Sequence, residues 1–454
     1  MPSQISTIVI GAGISGLICA YALRKAGLDV VVLEASERAG GVVRSIERDG
    51  FLFEQGPQSF SSTPALNALI RELGIEDHLV QAPPRSPRYV LVNGALQSVP
   101  LSPPALLTSS LLSIATKFAL LRDALGRSRS PEADESVAAF VRRKFTPELL
   151  DHLVGPFVSG VYAGDPEALS LRAAFPQIHE AERSGGSLLR GLRHAAKART
   201  EPRPRSTLFS FRDGNATLIR ALAERLGSSL HCGAPVREIS RTTNGKFRVS
   251  AQGSSGALES EAGQLIVATP ALVASDLLKT VLPAACENLS AIPYAPTAIV
   301  SLGYRKSDVG HPLRGFGFLI PRSAGPHTLG TVWNSSLFSG RAPESHVLLT
   351  SFLGGATDPA TAQLPAEHLS ALTHRELSPL LGLRQPPVIS NVTKYLQAVP
   401  QYNLGHSARI GALEAAQAGT NIWLTGSYLH GPSIGSCLDC SLSVAEAVRI
   451  SYNT

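Results

Sequence analysis

The spacing Gly11-Ala12-Gly13-Ile14-Ser15-Gly16, set directly behind the apolar run Ser6 to Ile10, constrains the fold of this chain more than any other feature. The run is short, β-branched and free of alternation, which predicts a strand buried on both faces of a parallel sheet. The glycines then turn the chain into a helix, expected over Leu17 to Ala26 and stopped at Gly27. A second apolar strand, Asp29 to Leu33, ends on Glu34. In such a βαβ unit Gly11 permits the tight turn, Gly13 lets backbone N–H groups approach a pyrophosphate, and Gly16 lets helix and strand close up. Ala12, Ile14 and Ser15 share the turn, and the helix N-terminus offers an anion its unpaired N–H groups. Glu34 can accept hydrogen bonds from a ribose, which favours a non-phosphorylated adenosine ribose. A glycine-rich turn alone says little in a chain with 40 Gly. Here strand, helix, second strand and acid all stand at the required spacing.

The continuation Glu34-Ala35-Ser36-Glu37-Arg38-Ala39-Gly40-Gly41-Val42-Val43-Arg44-Ser45 resembles the E-x-x-x-R-x-G-G-x-x-x-[ST] extension of FAD-dependent oxidases and desaturases of the amine-oxidase superfamily. The resemblance implies that Ala35, Arg38, Gly40, Gly41, Val42 and Arg44 join the glycine turn and Glu34 in holding FAD. No Cys or His stands in a recognisable attachment motif, so the flavin is expected to be non-covalent. Further on, Gly56-Pro57-Gln58-Ser59 follows a short strand; in flavin oxidases of this build that turn passes the isoalloxazine ring.

A chain of 454 residues holds two or three domains. Its net charge of +6 fits an acidic partner such as an anionic membrane surface or a carboxylated substrate. No block of Lys and Arg interleaved with aromatics points to nucleic acid. The five scattered Cys are expected to be reduced thiols in a cell interior. Cys437-Leu438-Asp439-Cys440 lacks a second pair or nearby His pair and reads as packed helix thiols, with no metal site. The first strand begins so early that no signal or transit peptide is expected, and no uncharged run of 18 apolar residues is present. Both point to a cytoplasmic protein.

Along the chain, Pro64 to Leu73 has helical periodicity and ends at Gly74, and Asn93-Gly94 marks a hairpin. Leu101 to Gly126 is the most apolar long segment, with Lys117, Arg122 and Asp123 as its charges. It reads either as a core helix pair of an accessory domain or as a monotopic membrane patch at the mouth of a tunnel for an apolar substrate. Arg127 to Asp134 is a polar break. Val137 to Leu153 is expected to be one helix, with Arg142, Arg143 and Lys144 on a solvated face, interrupted from Gly155 by small residues.

Ser159-Gly160-Val161-Tyr162-Ala163-Gly164-Asp165-Pro166 and Leu169-Ser170-Leu171-Arg172-Ala173-Ala174-Phe175-Pro176 resemble the central signature of the protoporphyrinogen oxidases and their sister coproporphyrinogen III oxidases. The likeness continues through Gly185-Gly186-Ser187-Leu188, Arg212-Asp213-Gly214, Gly315 to Pro321 and Leu329-Gly330-Thr331. It closes on Pro400-Gln401-Tyr402-Asn403-Leu404-Gly405-His406, which is not a general flavoprotein motif. These enzymes aromatise porphyrinogens late in haem synthesis, so the resemblance implies an FAD-dependent oxidation with O2 as acceptor. Flavin N5 takes the hydride, and no catalytic side chain is expected. Transferred residue by residue, Arg88 would meet a propionate and Gly160 would leave room for the ring beside the pyrrole N–H groups. Leu319, Val332 and Phe352 would sandwich the macrocycle; Val332 is smaller than the leucine often found there. Val236 would pair its backbone with the adenine edge. Gly426 and Pro432-Ser433-Ile434, before the final helix, would complete the flavin site.

The substrate reading favours protoporphyrinogen IX because Arg88 resembles that branch, with coproporphyrinogen III as the alternative. An amine oxidase or a carotenoid desaturase on the same fold is a further alternative. The resemblance also implies a peripheral membrane surface, hand-over of product to ferrochelatase, and a homodimer as partners. The fold class expected is α/β with α+β elements. A Rossmann-like FAD domain is split over 1–82, 206–275 and 420–454. A mixed-sheet substrate domain takes 83–98, 164–205 and 276–419, and a small helical membrane-associated domain takes 99–163.

Overall fold

The computed structural model describes residues 5–100, 103–126, 131–197, 207–253 and 256–453. A five-stranded parallel sheet lies at one end, in the order Leu230–His231, Val30–Leu33, Thr7–Ile10, Gln264–Val267, Ile422–Leu424. Its central strand pairs Ile8 with Val31 on one side and with Leu265 on the other. Both faces are covered, which is why the strands read as continuous apolar runs. Helices Ile14–Lys25, Ala216–Leu226 and Ile434–Asn453 cover one face, with Leu17, Leu222 and Leu438 in its core. On the other face the antiparallel strands Val236–Arg241, Phe247–Gly253 and Gly256–Ala262 share the core through Ile239, Val249 and Ala262, joined there by Ala274, Leu289 and Leu413 of helices Ala271–Leu278, Pro283–Ser290 and His406–Gln417. The latter two lie within the stretch assigned by sequence to the substrate part, yet their apolar faces pack against the parallel sheet.

The first helix starts at Ile14, three residues before its sequence-based start, because Gly13 already stands at its N-cap. Helix Pro64–Leu73 begins where the Thr63 hydroxyl accepts from Leu66 N–H and ends at left-handed Gly74. Strands Arg88–Val92 and Ala95–Ser98 form the expected hairpin, with positive φ at both Asn93 and Gly94.

A seven-stranded mixed sheet forms the other end, in the order Ile389–Pro400, Tyr294–Arg305, His346–Gly354, Thr328–Val332, Gly317–Leu319, Arg88–Val92, Ala95–Ser98. All neighbours are antiparallel except Gly317–Leu319 and Arg88–Val92. Helix Ala366–Leu381 packs Leu369, Leu377 and Leu381 onto Ala298, Val300 and Leu302 of this sheet.

The helical part between 103 and 185 departs from the sequence reading in two ways. The predicted helix Val137–Leu153 breaks at Phe145, where Thr146 caps a new start at Pro147. A π turn over Leu150–Val154 then carries the chain into helix Gly155–Tyr162, so the small residues after Gly155 are helical and the run ends at Ala163. The basic cluster is only in part the solvated face expected. Arg142 and Arg143 are exposed, Arg142 paired with Glu167. Lys144 is buried between Asp123 at 2.7 Å and Glu182 at 3.2 Å, and Arg143 bridges Glu135 and Glu182. Low dielectric forces such charges to pair, and here the pairing staples three helices together.

Helix Ile114–Leu125 turns Thr116, Ala119 and Asp123 inward. Its opposite face exposes Ile114, Phe118, Leu121 and Leu125, with Phe157 and Val161 of helix Gly155–Tyr162 also exposed. Leu111 and Leu112, just before it, are core residues. Residues 101–102 and 127–130, where parts of the apolar segment and the polar break were expected, lie outside the described residues. Among the described residues no helix is long and apolar enough to cross a membrane.

Candidate functional site

A cavity of about 460 Å³ runs between the parallel sheet, the seven-stranded sheet and the end of helix Gly155–Tyr162. Its floor is built from the glycine turns. Gly40 N–H donates to the Ala12 carbonyl at 2.7 Å, and Gly13 and Gly40 form a parallel bridge. Gly13 has an ordinary extended backbone, and a Cβ there would meet no protein atom within 4 Å. Behind it Gly11 has φ +98, and a Cβ on Gly16 would overlap the Gly11 carbonyl. The three glycines therefore divide as the sequence predicts: one faces open space, while the others permit the turn and the packing.

Gly13, Ile14, Ser15, Gly40, Gly41 and Val42 line the cavity, joined by Gly56 and Pro57 and by Gly426, Pro432, Ser433 and Ile434. The Ser433 hydroxyl accepts from Ser436 N–H, and the final helix aims its N-terminus at this floor. Glu34 stands at one end, 9% exposed, its carboxylate accepting from Ala12 N–H at 2.6 Å and Ser36 N–H at 2.9 Å. Each oxygen keeps a lone pair for a ribose hydroxyl. Ala234 N–H donates to the Glu34 carbonyl, which draws the strand starting at Val236 to the same end. Ala35 continues from Glu34.

Two expected cofactor residues, Arg38 and Gln58, work on the turns themselves. Arg38 donates to the carbonyls of Ala39 and Gly41. The Gln58 amide donates to the carbonyls of Glu54 and Gly56 and receives a hydrogen bond from Asn334 at 2.7 Å. Gln58 thus holds the turn on which Pro57 sits, and Ser59 follows it. Arg44 is exposed; its charge and that of Arg38 act on the Tyr395 phenol, which burial nevertheless raises above its ordinary pKa.

Two of the expected substrate residues, Gly160 and Phe352, line the cavity. Leu319 stands behind Gly160, and Val332 is buried in a small cluster on which Phe316 and Phe352 both pack. Arg88 lies outside the lining, exposed, with its guanidinium 5.4 Å from the Phe316 ring. Of the five, Gly160 and Phe352 face the cavity, while Leu319 and Val332 pack behind them and Arg88 lies beside Phe316.

Sequence reasoning missed the third wall. Tyr395, Gln397 and Val399 face the cavity from strand Ile389–Pro400 at alternate positions, with Tyr294, Thr297 and Ile299 on the neighbouring strand. The period of two is present in the sequence, but only the pairing of these strands turns it toward a ligand. Tyr428 also lines the cavity, its hydroxyl buried and without a hydrogen-bond partner among the described residues. Cys437, expected to be a packed helix thiol, is buried as expected but borders the cavity, and burial pushes its pKa up to about 11.

The sequence profile of the flavin containing amine oxidoreductases matches residues 14–449. A chloroplastic protoporphyrinogen oxidase of Nicotiana tabacum is 34% identical over 98% of this chain and 86% of its own length. The coproporphyrinogen III oxidase of Bacillus subtilis (strain 168) is 27% identical over 95% of each. A solved structure described as a candidate protoporphyrinogen oxidase, from Exiguobacterium sp. 255-15, superposes with a TM-score of 0.83. It covers 99% of this chain and 100% of its own, at 26% identity.

Proposed function

The chain belongs to the flavin containing amine oxidoreductases, an FAD-dependent oxidoreductase family, and from that premise we propose that it oxidises protoporphyrinogen IX to protoporphyrin IX, with O2 as acceptor. One observation carries the reading: the glycine floor and the wall bearing Gly160 and Phe352 meet around a single cavity. The bare backbone of Gly13 and Gly41 fits a pyrophosphate, and the acidic end at Glu34 fits a ribose.

Bound FAD supplies the acceptor for hydride taken from a meso carbon, six electrons being removed in three two-electron rounds with three O2 reduced to H2O2. What remains for the chain is placement. Phe352, Ile299 and Leu329 give a flat apolar macrocycle a dry surface. Gly160, without a side chain, lets the ring come close to backbone, and Leu319 fills the space behind it. Arg88, beside Phe316, offers a propionate a charge-assisted bond. On this reading the segments 1–82, 206–275 and 420–454 hold FAD, the seven-stranded sheet walls the substrate, and 99–163 faces a membrane.

The exposed stripe Ile114, Phe118, Leu121 and Leu125 supports a monotopic surface contact through which an apolar substrate enters. A peripheral place on the cytoplasmic membrane face, hand-over of porphyrin to ferrochelatase and a homodimer complete the proposal. The second reading is coproporphyrinogen III, favoured by the likeness to the Bacillus enzyme. Feeding the two porphyrinogens separately to purified protein and following porphyrin fluorescence tests both. Turnover of protoporphyrinogen at the higher kcat/KM supports the first reading, the reverse order supports the second, and failure with both overturns the proposal.

A further inference from the structure

The motif Pro400 to His406 supplies no chemistry in the reading above beyond Pro400 at the cavity edge, yet its side chains are among the most buried polar groups of the protein. Gln401 and Tyr402 are each 2% exposed. Gln401 Nε2 donates to the Tyr162 carbonyl at 2.8 Å and to the Val399 carbonyl at 3.0 Å. The next residue points to a different partner: Tyr402 Oη donates to the Ser427 carbonyl.

The two acceptors belong to opposite walls of the cavity. Tyr162 closes helix Gly155–Tyr162, which presents Ser159 and Gly160 to the cavity. Its carbonyl lies in the last turn, where helix carbonyls lack an intrahelical partner. The chain then passes through Ala163 at φ 49, a left-handed conformation that costs a residue with a Cβ on the order of 1 kcal/mol. Ser427 follows Gly426, and both line the flavin end. The backbone of the motif is fixed as well: Gln401 N–H donates to Pro293, Ser170 N–H to the Tyr402 carbonyl, and Leu404 N–H to Ala168.

We propose that Gln401 and Tyr402 are paired positioning residues, with Gln401 setting the helix end that carries Gly160 and Tyr402 setting the Gly426–Ser427 turn that follows strand Ile422–Leu424, so that substrate wall and flavin wall keep one spacing. Neither touches the reacting atoms. The substrate half of this inference rests on the porphyrinogen reading; the mechanical half does not.

Because adjacent residues serve opposite walls, their variants should separate. Gln401→Leu removes both amide hydrogen bonds and leaves the Tyr162 carbonyl buried without a donor. It should raise the porphyrinogen KM about tenfold, retain full flavin, and speed amide hydrogen exchange over 155–164 but not over 424–429. Tyr402→Phe should speed flavin release severalfold and exchange over 424–429, with KM within about twofold of wild type. Gln401→Asn, which keeps the amide but shortens its reach, stands in if the leucine variant fails to fold and should show the same pattern in milder form. Identical changes in both variants, or wild-type exchange over 155–164 in the Gln401 variants, would overturn the inference. If wild-type protein turns over no porphyrinogen, the substrate proposal fails, while exchange and flavin release still judge the brace.

Discussion

Leu319 and Gly160 occupy one another's space across the gap between the seven-stranded sheet and helix Gly155–Tyr162: a Cβ on Gly160 would overlap the Leu319 Cδ2 methyl. The same methyl also closes on Gly330, where a Cβ would come within 2.8 Å of it. One leucine therefore packs behind this side of the cavity against two glycines. Close packing leaves no slack for a methyl group here.

Gly160→Ala is expected to fold and bind FAD normally but to lose about tenfold in kcat/KM, because helix and leucine must part. Leu319→Ala in the same chain should return most of that loss by vacating the space. Steady-state kinetics on the four members of this cycle check the coupling; additive effects would show that the two side chains act separately.

Gly13→Val tests the floor. The backbone at Gly13 suits any residue and a Cβ placed there has no protein atom within 4 Å, so the variant should melt within a few degrees of wild-type apoprotein. Its Cβ branch nevertheless stands where a pyrophosphate approaches. The purified variant should be colourless by flavin absorbance, and a fully yellow variant would remove the pyrophosphate from this turn.

Arg88 lies exposed on the Phe316 ring, so the propionate contact proposed for it would be screened by water and salt. Arg88→Ala should raise KM for protoporphyrinogen roughly three- to tenfold with kcat little changed. The effect should shrink at high ionic strength, and FAD content should be unaltered. Unchanged kinetics at low salt would leave this arginine without a role in binding.

Much of the nucleotide fold was legible because its signals are local. Strand Thr7–Ile10 and helix Pro64–Leu73 with Thr63 and Gly74 at its ends declare themselves within a few residues, as does the Asn93-Gly94 turn of the seven-stranded sheet. What stayed hidden depends on partners far along the chain. Lys144 reads as a surface lysine until Asp123 and Glu182 arrive beside it, and a helix running through Phe145 is plausible until Thr146 caps the next one. Of the candidate site, the glycine floor was readable and the Tyr395 wall was not, because alternation shows which residues share a face but not what that face meets.

The buried network at Glu182 predicts a particular acid response. Burial pushes this carboxyl upward, but hydrogen bonds and charge from Arg143 and Lys144 outweigh it and hold it below its ordinary 4.5. A depressed folded value stabilises the protein above pH 4.5 and loses that contribution as pH falls further. Glu182→Gln should cost about 3–5 kcal/mol near neutrality, measured by denaturant unfolding, and the penalty should narrow toward pH 3.

His406 acts in a different window. Burial depresses its imidazole to about 4 from 6.5, so the unfolded chain takes up a proton first. Folding free energy should therefore fall by roughly 3 kcal/mol between pH 6.5 and pH 4 through this residue alone. The slope should be absent in His406→Gln, as followed by Tm across that range.

A membrane contact is tested at the exposed apolar side chains of helix Ile114–Leu125, since Leu111 and Leu112 are core residues. Phe118→Glu with Leu121→Glu should cut partitioning onto anionic vesicles at least tenfold while Tm stays within a few degrees. Leu112→Glu should instead unfold the helical part. Undiminished partitioning of the double variant would send the search for a membrane contact elsewhere.

The parallel sheet is assembled from the two ends of the chain and from its middle, and the strand Ile422–Leu424 takes the last edge beside Gln264–Val267. During synthesis, then, the first strand leaves the ribosome long before either the strand that flanks it at Gln264 or the helix that covers it at Ile434 exists. The nascent chain must keep an apolar strand edge from pairing wrongly until these later segments have been made. Cofactor capture becomes a late event in the life of each molecule, and premature stops near the C-terminus should yield polypeptides sent to proteolysis rather than weakened enzymes.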